Sequence, residues 1–177
     1  MTHSELEHLI RASGAIAKDN ELIIIGSQAI LGQFPDAPAV LCRSMETDLY
    51  PRHHPALASL VEGAIGEGSS FHEEFGYYAQ GVGPETAILP QGWEDRLVRI
   101  LNENTSGVAG LCLEVHDLAI SKYIACRPKD LEFTRELAQH KMIDHETLLK
   151  RLRKTRLKSR VRNVVKSRIN ADFKRRK

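Results

Sequence analysis

Two short groups of residues, at positions 22–31 and 44–50, carry side chains suited to phosphate chemistry. An apolar run, Leu22-Ile23-Ile24-Ile25, stops at Gly26-Ser27 and resumes as Gln28-Ala29-Ile30-Leu31. Glycine at such a break lets the backbone approach a phosphate. The amides that open the next helix point at it, and Ser27 adds a hydroxyl donor. Downstream, Ser44-Met45-Glu46-Thr47-Asp48-Leu49-Tyr50 sets two carboxylates one residue apart. On a strand, residues i and i+2 share a face, so Glu46 and Asp48 project side by side. Such carboxylates repel unless a cation lies between them, and hard oxygen donors with open positions suit Mg²⁺ or Mn²⁺. A phosphate turn beside a divalent-metal site equips a chain for in-line attack on a nucleotide α-phosphate. The plainer reading of the same residues is a strand ending at glycine and a solvated acidic face paired with Arg43 or Arg52.

The elements that must position these residues follow from periodicity and punctuation. Residues 4–18 are spaced as a helix, with Ser4 as N-cap and Glu7 completing a capping box. Residues 21–25 predict a short buried strand, 28–33 the helix after the turn, and 44–50 a second strand closed by Pro51. Residues 55–65 predict a helix with Pro55 near its start. Residues 75–82 and 85–89 predict two strands joined antiparallel through Gly83-Pro84, and 96–101 and 110–114 predict two more. Helices follow at 116–125, 128–140 and from 145 onward. Strands and helices mixed early, then helices alone, predict an α+β fold with a helical C-terminal layer.

At 177 residues and 42% hydrophobic, the chain predicts one core domain, residues 1–149, with an appended basic element at 150–177. No stretch approaches the roughly 18 apolar residues of a membrane span, and the N-terminus does not read as a signal peptide. The 3 cysteines, Cys42, Cys112 and Cys126, are too widely spaced for a metal motif and suggest a reducing cytoplasm. A net charge of +2 conceals a division: fourteen of the 25 Lys and Arg, but only Asp172 of the 23 acids, lie in 150–177. The body keeps eleven positive and twenty-two negative charges, so an acidic body carries a basic tail, a pattern that suggests an anionic partner. Leu149, Leu152, Leu157, Val161, Val164, Val165, Ile169 and Phe173 predict an amphipathic basic helix there. Its readings are RNA binding, docking on the acidic body or a protein partner, and, last for want of Trp, a membrane surface.

Gly26-Ser27 followed by Glu46-x-Asp48 resembles the signature of the polymerase-beta-like nucleotidyltransferase superfamily. The chain is most similar to small bacterial proteins related to abortive-infection nucleotidyltransferase toxins, where a hydroxyl residue two positions before the first acid matches Ser44. The stretch 113–122, ending in Lys122, and Arg127-Pro128-Lys129-Asp130-Leu131 also match that group. Glu46 stands where the first acid is usually aspartate, and Thr47 where the residue between the acids is usually apolar.

The resemblance implies a nucleotidyltransferase-like mixed sheet flanked by helices. It also implies metal-dependent transfer of a nucleoside monophosphate from a nucleoside triphosphate to RNA or protein, in a toxin–antitoxin or phage-defence setting. Gly26, Ser27, Lys122 and Lys129 would bind the nucleotide, and Glu46 and Asp48 would hold the metal. Glu85 is the candidate third carboxylate. The residues alone leave Lys122 with its stem along the core and its amine in solvent, and Asp130 as a favourable helix-start acid. His53-His54 reads as surface loop, and Trp93 as a sheet-edge packer beside an Asp95–Arg96 pair. The rival expectation is an inactive module of the same fold that binds nucleic acid or a protein partner.

Overall fold

The computed structural model describes residues 1–174; the expectation of a basic helix over Arg175, Arg176 and Lys177 lies outside the described residues. The chain divides into two compact units, Met1–Thr86 with Leu97–Glu114, and Ala87–Arg96 with the chain from Val115 onward.

The first unit is built on a five-stranded sheet in the order β3-β2-β1-β5-β4. Its strands are β1 (Glu21–Ile24), β2 (Glu46–Pro51), β3 (Tyr78–Gly81), β4 (Val98–Ile100) and β5 (Ala109–Cys112). β1 runs antiparallel to β2 and parallel to β5, while β2–β3 is parallel and β4–β5 antiparallel. The mixed sheet flanked by helices is the architecture expected. Leu22, Ile24, Leu49 and Cys112 are fully buried in its core.

Helix α1 (His3–Ala17) begins two residues earlier than the capping pattern suggested. Thr2, not Ser4, is the N-cap: its hydroxyl accepts from the Glu5 amide at 3.3 Å, and the Glu5 carboxylate accepts from the Thr2 amide at 2.6 Å. Glu7 is thereby freed to turn inward, where Asn102 and Asn104 donate to it. Beyond the Gly26 turn, the expected helix is one 3-10 turn (Ser27–Ala29) and one α turn, α2 (Ile30–Gln33). Pro35 disfavours helical backbone at Phe34, which sits at φ −131° and ψ 82°.

Helix α3 (Ala58–Ile65) follows a 3-10 turn opened by Pro55. Helix α4 (Ser70–Phe75) was not expected; Ser69 caps it by accepting from the His72 amide at 3.1 Å. The strand expected at 85–89 is absent. Pro84–Thr86 is a 3-10 turn, and β3 pairs with β2 in parallel instead of forming a hairpin.

The second unit packs α5 (Val115–Ala125), α6 (Pro128–Gln139), α7 (His145–Arg153) and α8 (Ser159–Lys174). Cys126, at φ 59°, turns the chain between α5 and α6, and Pro128 opens α6. The basic segment is not one helix but the end of α7, a turn, and α8. The sequence carries a sign of the break: Leu152 to Leu157 is a five-residue step, too long for one helical face. At the break the Thr155 hydroxyl donates to the Arg151 carbonyl at 2.9 Å, and Arg162 donates to the Thr155 carbonyl at 2.9 Å. Leu152, Val165 and Ile169 are buried, whereas Val161 and Val164 are exposed. No described helix is long and apolar enough to cross a membrane.

Candidate active site

The ladder between β1 and β2 extends to the edge of the glycine turn, where the Ile25 amide donates to the Asp48 carbonyl at 3.0 Å. Gly26 comes next, buried and with an ordinary φ of −78°. A Cβ built on Gly26 would lie 2.2 Å from Asp48 Oδ2 and 2.9 Å from Asp48 Cγ. Glycine is required at this point because the Asp48 side chain fills the space any other residue would need. The two sequence signals are thus one place in the fold.

Ser27, half-buried, opens the 3-10 turn, and the Ala29 amide closes it on the Gly26 carbonyl at 3.0 Å. Gln28 is fully buried and donates to the Ser44 carbonyl at 3.2 Å, tying the turn to the approach to β2. Ser44 Oγ in turn accepts from the Glu46 amide at 3.2 Å. Strand alternation then puts Glu46 and Asp48 on one half-exposed face and turns Thr47 inward, fully buried. The Thr47 hydroxyl donates to Met1 Sδ at 3.1 Å, which accommodates a polar residue between the acids.

The parallel register sets Tyr78 beside Glu46 and Gln80 beside Asp48. Tyr78 Oη donates to Glu46 Oε2 in a long hydrogen bond of 3.5 Å, and the His72 ring lies 4.6 Å from the Tyr78 ring. Burial, and after it the charges of Glu46, Glu67 and Asp48, holds the Tyr78 phenol above its usual value, so it remains a donor. Sequence reasoning missed Tyr78. Strand periodicity shows which β2 residues share a face, but not which strand lies alongside.

Among the described residues, no group of three or more His, Cys, Asp or Glu side chains is placed to hold a metal ion. Two carboxylates are still a suitable donor set for Mg²⁺, which commonly takes one or two of them and completes its shell with water and substrate phosphates. Glu85 lies exposed in the Pro84–Thr86 turn and is not gathered into such a group.

Lys122 and Lys129 belong to the second unit. Lys122 does not extend its amine to solvent: its side chain is 10% exposed, and Nζ lies 3.3 Å from Asp130 Oδ1 and 6.0 Å over the Phe133 ring. Asp130 also accepts from Arg127 Nε at 2.7 Å and from the Arg127 amide at 3.2 Å. Burial pushes the Asp130 carboxyl up, but the Arg127 hydrogen bonds and the Lys122 charge outweigh it and hold the group below the usual carboxylate range. Lys129 is exposed in the first turn of α6. Arg96 pairs with buried Asp117 at 2.8 Å, not with Asp95 as expected. In the first unit, His53 and His54 are exposed as expected, but both face the buried carboxylate of Asp19, at 2.8 and 3.6 Å.

A mixed sheet whose glycine–serine turn lies against an acidic strand defines the class: an α+β, nucleotidyltransferase-like fold. A family model described as "nucleotidyltransferase of unknown function" (DUF6036) matches residues 4–175, and the chain belongs to that family. No curated protein and no solved structure matches the chain.

Proposed function

We propose that this protein transfers a nucleoside monophosphate from a nucleoside triphosphate to an acceptor, in a Mg²⁺- or Mn²⁺-dependent reaction. The observation that carries this reading is the contact between Gly26 and Asp48, which unites a candidate phosphate turn with a candidate metal-binding strand. Gly26 brings the backbone close to the phosphates, and the Ser27 hydroxyl donates to a phosphate oxygen. Glu46 and Asp48 would hold the ion, which when bound neutralises the triphosphate and lowers the pKa of an attacking hydroxyl. Gln28 and Ser44 keep turn and strand in register, so the phosphates and carboxylates keep a fixed separation. The kinship with abortive-infection toxins, and with it a toxin–antitoxin or phage-defence role, belongs to this reading and draws on Ser44, Lys122 and the Arg127–Asp130 stretch.

A second reading, a module that binds without transferring, draws support from the lack of a third carboxylate grouped with Glu46 and Asp48 among the described residues. One experiment separates the two. Purified protein and an Asp48→Asn variant are incubated with Mg²⁺ or Mn²⁺, each labelled triphosphate, and total RNA or protein. Label transferred by the parent alone supports the enzyme and names the acceptor class. No transfer, together with no metal-dependent triphosphate binding by calorimetry, rejects it.

A further inference from the structure

Eleven Lys and Arg side chains lie between Lys150 and Lys174, and the fold divides them into two groups. Three arginines turn inward and hold the second unit together. Arg151 lies 3.1 Å from Asp117, Arg162 donates to the Thr155 carbonyl, and Arg168 donates to the Tyr123 carbonyl at 3.0 Å. The other eight are exposed, and none forms an ion pair with a carboxylate among the described residues. Six of them, Lys150, Arg153, Lys154, Arg156, Lys158 and Arg160, are concentrated in the last turn of α7, the connecting turn and the start of α8.

The α7 dipole accounts for Lys150 and Arg153, because cations are favourable at a helix C-terminus. It does not account for Lys158 and Arg160, which crowd the N-terminal end of α8, where cations are unfavourable and the first turn contains no acid. Mutual repulsion and an opposed dipole both cost stability, and a polyanion relieves both. We propose that this surface, Lys150 to Arg160 with Lys166 further along α8, binds base-paired RNA through its phosphate backbone.

The alternatives lack matching chemistry on the surface. A membrane would need a broad apolar face, but α8 buries Val165 and Ile169 within the unit and exposes two valines, Val161 and Val164, among many cations. Single strands are gripped largely by stacking on aromatic rings. The one aromatic of this segment, Phe173, sits against His145 with ring centroids 5.1 Å apart. Base-paired RNA turns its bases inward and offers phosphates and 2′-hydroxyls across a shallow minor groove. Beside the cations, Ser159, Asn163 and Ser167 recur every fourth residue on α8, all exposed, and supply hydroxyl and amide groups to meet those 2′-hydroxyls.

The test is fluorescence anisotropy on the full chain with no triphosphate or divalent metal present, so its outcome is independent of the transfer reading. The probes are a labelled RNA hairpin, a DNA hairpin of the same sequence, an unpaired RNA and anionic lipid vesicles, each across a NaCl series. Lys154→Glu/Arg156→Glu/Lys158→Glu is the variant, with circular dichroism to verify folding and the single variant Arg156→Ala as a milder second. RNA-hairpin affinity that falls steeply with salt is expected. The triple variant should weaken it at least tenfold and reduce the salt slope by about three, roughly one per lost phosphate contact. Tighter binding to vesicles, unpaired RNA or the DNA hairpin would overturn the proposal. So would a folded triple variant that binds the RNA hairpin as the parent does.

Discussion

On β2, Glu46 and Asp48 stand half-exposed beside a glycine turn, whereas at the head of α6 Asp130 is 1% exposed and shared between Arg127 and Lys122. The two sites use similar groups for different ends. Strand alternation keeps the β2 acids side by side on the half-exposed face of the sheet. Around Asp130 a helix start, an ion pair and a capping contact occupy the carboxylate from several directions at once. A carboxylate committed to a buried network supports the fold, and one held at half-exposure can do chemistry.

The largest effect should come from opening the closed site. Asp130→Ala leaves Lys122 buried without its partner and should destabilise the protein by about 3–5 kcal/mol in urea titrations. A loss below about 1 kcal/mol would show the network to be marginal and remove the contrast with β2. The pH dependence has a definite sign. A depressed carboxyl contributes fully above its unfolded value of about 3.9 and loses that contribution as pH falls through the lower folded value. Asp19 is also held low: burial raises it, but hydrogen bonds from His53 and the Glu21 amide prevail. Urea midpoints should therefore fall in acid, and Asp130→Asn should flatten part of that acid limb.

Next in size is Gly26→Ala, which drives a Cβ into the Asp48 carboxylate. We expect a loss of about 1–3 kcal/mol from overpacking, together with loss of metal-dependent triphosphate binding. Asp48→Asn should abolish that binding while leaving thermal stability nearly unchanged. An equal stability loss in both variants would mean that Asp48 is structural.

Within the second unit, Asp172 is the lone acid of the basic segment, and it accepts from the buried Tyr123 hydroxyl at 2.8 Å. Burial, followed by the Asp172 charge, pushes the Tyr123 phenol well above its usual value, so it remains a donor. Asp172→Ala should cost about 1–2 kcal/mol by chemical denaturation, since the buried Tyr123 hydroxyl loses its carboxylate acceptor. The smallest effect is expected at Tyr78→Phe, which removes only a long hydrogen bond. Stability should change by about 0.5 kcal/mol or less. Mn²⁺ affinity should fall a few-fold, and less in a Glu46→Asp background, where the shorter side chain sits farther from Oη. Equal effects in both backgrounds would separate Tyr78 from Glu46.

Much of the first unit was legible because its signals are local. The period of two placed Glu46 and Asp48 together before any partner strand was known, and the Gly26 break was visible in a run of aliphatics. The helix start failed by two residues because Thr2-x-x-Glu5 and Ser4-x-x-Glu7 are equivalent local patterns. The choice depends on Glu7, which Asn102 and Asn104 recruit from far along the chain. The hairpin expected at 75–89 failed for a similar reason: β3 finds a better neighbour in β2 than in the residues that follow it.

The sequence by itself determined the composition of the acidic strand and its shared face, the glycine turn, the late run of helices and the crowding of cations near the C-terminus. These depend on backbone geometry and residue type over a few positions. Tertiary structure alone decided that Asp48 fills the space beside Gly26 and that Tyr78, 32 residues from Glu46, lies against it. It also decided that Arg151, Arg162 and Arg168 turn inward while their neighbours face solvent. Each of these depends on which distant backbone comes to lie alongside, and that is set by packing the whole core rather than by any local preference.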